Sequence, residues 1–204
     1  EVLGYLGRQP RTRRFCTTPK VMELGFAYVA SHPVVMAAQP YLAQLSSASG
    51  ETASLTEAVD TDMLYVAQRA TTQFIPVQTP VGMRIPMYCT SSGRAWLSRQ
   101  SDEAVAAVLA ASALAARTPH TLTAPADILA RIADCRREGY AWNAEELFMG
   151  DMGIAAPIVN SRGQVLAVVH VSPPTCRWSP EQARRSLAPL VIDCARAIGS
   201  ALVG

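Results

Sequence analysis

The stretch Tyr88-Cys89-Thr90-Ser91-Ser92-Gly93-Arg94 gathers the groups that hold an anion: hydroxyls, small side chains and the opening of a helical pattern. A helix start leaves backbone N–H groups free and carries a positive dipole end. Ser91, Ser92 and Gly93 are small enough to let an anion approach those groups. Ordinary capping by the hydroxyls explains the same residues, and on this stretch alone it is the stronger explanation. His170 and Ser172 alternate on one face of an otherwise apolar, strand-like run. Such a pair needs hydrogen-bond partners or a ligand. Asn143, just after Gly139-Tyr140, serves either as turn chemistry or as a pocket amide. Arg11, Arg13 and Arg14 crowd the tip of a hairpin-like segment. They read evenly as a solvated turn or as contacts to nucleic-acid phosphates.

Covalent catalysis needs a base beside a nucleophile. The histidines are His32, His120 and His170, and the first two adjoin prolines in loop-like surroundings. No GxSxG elbow, no GxxxxGK[ST] loop and no GxGxxG turn occurs. The five cysteines, Cys16, Cys89, Cys135, Cys176 and Cys194, form no CxxC pair and no Cys/His cluster. No metal site and no cofactor are expected, and scattered thiols suit a reducing cytoplasm. The enzymatic alternative is a reaction of Cys89 or Cys176 with a small oxidised metabolite. Cys89 is the better candidate, because it lies just before a helix start.

The elements that must position these residues are legible in outline. Residues 1–17 read as a hairpin with Pro10 in its turn. Thr18-Pro19 reads as a helix cap, His32-Pro33 breaks the helix, and a second helix ends at Gly50. Strands are expected at 52–59 and 63–69 around Asp60-Thr61-Asp62, with a third at 74–79. Helices follow at 90–98, from Ser101, and at 125–138 before Gly139. The clearest β signal is a hairpin at 153–172, turning through Asn160-Ser161-Arg162-Gly163. Its second strand is apolar on both faces and should be covered on both. Ser179-Pro180-Glu181-Gln182 is a capping box that opens a long last helix. Hairpins outnumber βαβ crossovers, so the fold class is α+β, an antiparallel sheet flanked by helices.

The chain has 204 residues, 50% of them apolar and 17% charged, enough for a sizeable core. No apolar run approaches the roughly 18 residues of a membrane span, and no membrane partner is expected. Net charge is +2, but residues 1–20 carry +4 and the remainder −2. A basic head on a mildly acidic body suggests a division of labour. A two-stranded hairpin alone is marginal in water. The chain therefore looks like a fragment that begins inside a fold.

Four collinear stretches are similar to the isocitrate-lyase-regulator (IclR) family of bacterial transcription regulators. They are Thr18-Pro-Lys-Val-Met-Glu-Leu-Gly25, the segment 81–94, Gly139-Tyr140 with Glu145-Glu146-Leu147, and Ile154-Ala-Ala-Pro-Ile158 leading to Val171-Ser172. The resemblance implies a winged helix-turn-helix whose wing hairpin is 1–17, linker helices at 18–50, and a GAF-like effector-binding domain at 51–204. Its implied partners are DNA, a small carboxylic acid effector and further copies of the chain, as a homodimer or tetramer. The implied DNA contacts are Arg11, Arg13 and Arg14. The implied effector site is Phe74 and Val77 as apolar wall, with Ser91 and Ser92 at the carboxylate and Asn143, Gly153, His170 and Ser172 as polar positions. Asn143, Gly153 and His170 stand where a glyoxylate- or pyruvate-type site carries an acid, a thiol and a hydroxyl. That departure implies room for a larger acid, with an aromatic one as the candidate.

Overall fold

A computed structural model describes residues 2–202. Strands β1 (Leu6–Arg8) and β2 (Phe15–Thr17) pair antiparallel as a ribbon separate from the main sheet. At its tip Arg13 adopts a left-handed conformation, φ 54°, and its amide donates to Gln9 O. The expected cap at Thr18 does not form. Its hydroxyl instead donates to Gly4 O at 2.6 Å, closing the ribbon base, and helix α1 (Val21–Ser31) starts uncapped after Lys20. No α1 residue is buried, and Met22, Leu24 and Phe26 project from it. His32-Pro33 breaks the helix as expected. Helix α2 (Pro33–Ser49) leaves at 79° and ends on left-handed Gly50. No single helix is long and apolar enough to cross a membrane among the described residues.

The main sheet has six antiparallel strands in the order β5-β4-β3-β8-β7-β6. They are β3 (Ala53–Val59), β4 (Asp62–Arg69), β5 (Arg84–Pro86), β6 (Ala141–Ala144), β7 (Met152–Val159) and β8 (Val165–Val171). The two strong sequence hairpins, β3-β4 and β7-β8, join at the centre through β3 and β8, with Ser54 opposite His170. One face carries α2 and the last helix α6 (Pro180–Ala201), whose Leu187, Val191 and Ile198 pack on Ile154, Ile158 and Val169. The opposite face carries α3 (Ser91–Leu97), α4 (Asp102–Ala111) and α5 (Pro125–Glu138). Their Leu97, Val105, Ile128 and Ile132 meet Met63, Ala155 and Val168. β8 is thus covered on both faces, which is why its sequence lacks polar alternation until His170. The Ser179 capping box and the Gly139 terminus form as expected.

One expected strand is absent. Residues 70–80 make no ladder and instead arch outward from the end of β4. Pro76 and Pro80 remove donors a strand would need, and Phe74 is 78% exposed.

Candidate functional site

Alternation along the strands decides which polar groups meet. Asn143 on β6, Gly153 on β7, His170 at the end of β8 and Tyr65 on β4 all face α3, and Ser172 follows just beyond. Together with Ser91 and Ser92 they line a narrow inner recess of about 20 Å³, room for roughly one water. Beyond it lies an outer chamber of about 430 Å³, a size usual for small-molecule sites. The arch of residues 70–80 roofs the chamber, with Phe74 and Val77 among its lining. Thr79, Asp151 and Ser172 belong to both spaces and form the neck between them.

The inner recess is tightly wired. Thr90 caps α3 by accepting from the Gly93 amide at 3.2 Å. Asn143 Oδ1 accepts from the Ser91 amide at 3.1 Å. The Ser91 amide is therefore occupied by a side chain, contrary to the expectation of a free anion-binding donor there. Ser92 Oγ lies 2.9 Å from His170 Nδ1, and the Tyr65 ring stands edge-on to the imidazole at 5.2 Å. Burial pushes the His170 pKa down to about 4. The imidazole is neutral at physiological pH, so it does not titrate in the ordinary histidine range.

Gly153 also acquires a different role from the one its small size suggests. A Cβ there would collide with Ser91 Oγ and stand 2.7 Å from Asn143 Oδ1. The space it leaves is filled by the protein, and it is what lets α3 seat against β7. Gly93 acts likewise on the other side of α3, where a Cβ would run into the Met87 backbone.

Two ion pairs, one buried and one half-buried, hold the frame. Arg94, fully buried, donates to both Glu146 carboxylate oxygens at 2.6 Å and to Tyr88 O at 3.0 Å. It ties α3 to the loop that precedes β7. Glu51, buried between α2 and β3, accepts from Trp178 Nε1 at 2.7 Å and pairs with Arg177. Arg177 also donates to Phe74 O in the chamber roof.

Asp151 is the residue sequence reasoning missed. It precedes β7, lines both spaces, and carries a carboxyl that burial pushes up to about 7, opposed by a hydrogen bond from the Met152 backbone. Its only sequence signal is an acid between Gly150 and a long apolar strand. Cys89 moves the other way from its proposed chemistry. It is fully buried, and burial pushes its thiol up to about 11, the reverse of an activated thiolate. Cys176 is exposed. Arg11, Arg13 and Arg14 are all exposed at the ribbon tip, away from the cleft.

A family profile for the C-terminal part of IclR-type bacterial transcriptional regulators matches residues 26–200. The Pca regulon regulatory protein of Pseudomonas putida is 36% identical over 203 residues, covering 99% of this chain and 69% of that protein. The chain belongs to the IclR family. The HTH-type transcriptional repressor AllR of Escherichia coli K12 is 29% identical over 182 residues, 89% of this chain and 67% of that repressor. The chain thus spans about two thirds of the length of these curated relatives. A crystal structure of a transcriptional regulator from Rhodococcus sp. RHA1 superposes with TM-score 0.87 at 32% identity, covering 99% of this chain and 80% of that one. An IclR homolog from Microbacterium hydrocarbonoxydans, crystallised with 4-hydroxybenzoate, shares the fold at TM-score 0.81 and 22% identity, covering 99% and 81%. Both of these curated relatives are named as transcriptional regulators.

Proposed function

We propose that this chain is the sensing part of a DNA-binding regulator and that its cleft takes a small carboxylic acid, with an aromatic acid the best fit. The observation that carries this is the outer chamber narrowing onto a buried polar recess. Its roof residues Phe74 and Val77 offer apolar contact, and Ser91, Ser92, Asn143, His170 and Ser172 offer hydrogen bonds. The 4-hydroxybenzoate complex of a homolog with the same fold supports an aromatic acid of that size. Because the Ser91 amide is held by Asn143, the acid end does not rest on a bare helix start.

In this reading 1–17 is the wing hairpin of a DNA-binding head, 18–50 the linker and 51–204 the effector domain. α2 serves both linker and core, since Val35, Ala38 and Leu42 are buried against the sheet. Arg11, Arg13 and Arg14 contact phosphates. The exposed apolar residues of α1 pack on a second copy, giving a homodimer or a dimer of dimers. The cleft communicates with the linker through its roof: Thr71 Oγ1 donates to Gly50 O at 2.7 Å, and Arg177 bridges the roof to Glu51 beside α2. A ligand that orders the roof differently in two linker arrangements shifts their populations.

A thermal-shift screen of small mono- and dicarboxylic acids tests this, since a ligand that binds only the folded chain raises its melting temperature. The expected hit is an aromatic monoacid whose binding weakens in Val77→Trp, which fills the chamber. No stabilising acid, or equal binding by this variant, overturns the reading.

A further inference from the structure

The neck of the cleft poses an electrostatic problem for an acid ligand. Neither the chamber nor the recess is lined by Lys or Arg. Arg177, which reaches the chamber roof, is engaged by Glu51 and Phe74 O. The neck nonetheless contains a carboxyl group, Asp151, which no side chain of the described residues neutralises. Its surroundings hold the Tyr65 hydroxyl from β4, Thr79 from the roof, His170 from β8 and Ser172 just after it. His170 is neutral there. Glu145, in the loop before Asp151, accepts from the Gly150 amide and pairs with His120 at 3.6 Å, so it adds no positive charge.

A half-buried carboxyl with no cation beside it has two ways to be satisfied: it accepts from a ligand donor, or it is protonated and donates itself. A second carboxylate at the neck would face it as a like charge or oblige it to take up a proton, and above its titration near pH 7 either course weakens binding. A hydroxyl at the same point would donate to it.

We infer that Asp151 is the specificity-determining residue of the cleft: it selects acids that present a hydroxyl donor at the neck and turns away dicarboxylates of the same shape. This inference rests on the effector site proposed above. It also gives the ligand a direction, with the hydroxyl end at Asp151 and the single carboxylate at the far end of the site.

The test uses benzoate, 4-hydroxybenzoate and terephthalate, which differ at one ring position, titrated calorimetrically at about pH 8, where Asp151 is ionised, into the wild-type chain and Asp151→Asn. In wild type, 4-hydroxybenzoate should bind at least threefold tighter than benzoate, with terephthalate about tenfold or more weaker than 4-hydroxybenzoate. In Asp151→Asn, terephthalate should gain about tenfold, while benzoate stays within about twofold and reports that the site is intact. If the acids bind but the terephthalate ratio is unchanged in Asp151→Asn, the selectivity assignment is overturned and the site survives. Loss of benzoate binding in Asp151→Asn also overturns it, because Asp151 would then maintain the site rather than select. If none of the three binds wild type, the effector site falls and the inference with it.

Discussion

His170 and Gly153 show how far a residue's role depends on its neighbours. His170 is 2% exposed and held neutral by burial. Its folded pKa, about 4, lies below the unfolded value near 6.5, so the native state binds fewer protons than the unfolded chain between those values. Its contribution to stability is whole above pH 6.5 and is lost as pH falls toward 4. His170→Gln should therefore flatten the acid-side loss of stability between pH 6.5 and 4, as urea midpoints at a series of pH values would show. An unchanged slope would mean that another group sets it. Gly153→Ala tests the packing role. The added methyl meets Ser91 and Asn143, so unfolding should be easier by roughly 1–3 kcal/mol, even without ligand. A neutral result would return Gly153 to the role of open pocket space.

At the scale of elements, α3 is short and depends on what grips it. Thr90 caps its start, Gly93 and Gly153 let it sit close to its neighbours, and Arg94 anchors it to Glu146. The Arg94–Glu146 pair is buried on both sides, so truncating one partner strands the other as an uncompensated charge. Arg94→Met should destabilise by about 3–5 kcal/mol, measured by chemical unfolding. The double variant Arg94→Met with Glu146→Leu should recover much of that loss, since no charge remains unpaired. A single variant within about 1 kcal/mol of wild type would remove the pair from the frame of the site. The roof is the contrasting element. It lacks ladder partners and is tied by a few bonds, Thr71 to Gly50 and Arg177 to Phe74 O, which suits a segment that must admit a ligand.

Across the molecule, charge and function separate. The ribbon tip carries exposed Arg11, Arg13 and Arg14, whereas the cleft that faces a proposed anion has no lining Lys or Arg. Phosphate binding releases counterions and makes affinity steeply salt-dependent. In the complete regulator, replacing these three arginines by Ala should weaken DNA binding across sequences and reduce the salt slope by up to about three. Effector binding should not change. An unaltered slope would exclude the ribbon from the phosphate contacts.

The sequence by itself determined what is local. The His32-Pro33 break, the Gly50 and Gly139 termini, the Ser179 capping box and the β3-β4 and β7-β8 hairpins each rest on dihedral preference or near-neighbour hydrogen bonds. The polar positions Asn143, His170 and Ser172 were legible as groups in need of partners. Only the tertiary structure decided what those partners are. β5 and β6 are three- and four-residue edge strands that exist because a distant strand pairs with them. Residues 74–79 have a strand's composition but no partner, so they became the roof. Thr18 left its expected cap for Gly4 O, and Asn143 took the Ser91 amide from fifty-two residues away. Asp151 carries only a faint local mark, because a carboxyl gains its altered proton affinity from the burial that the fold imposes on it. Propensity acts over a few residues; burial, charge balance and strand pairing act between segments that meet only when the chain has folded.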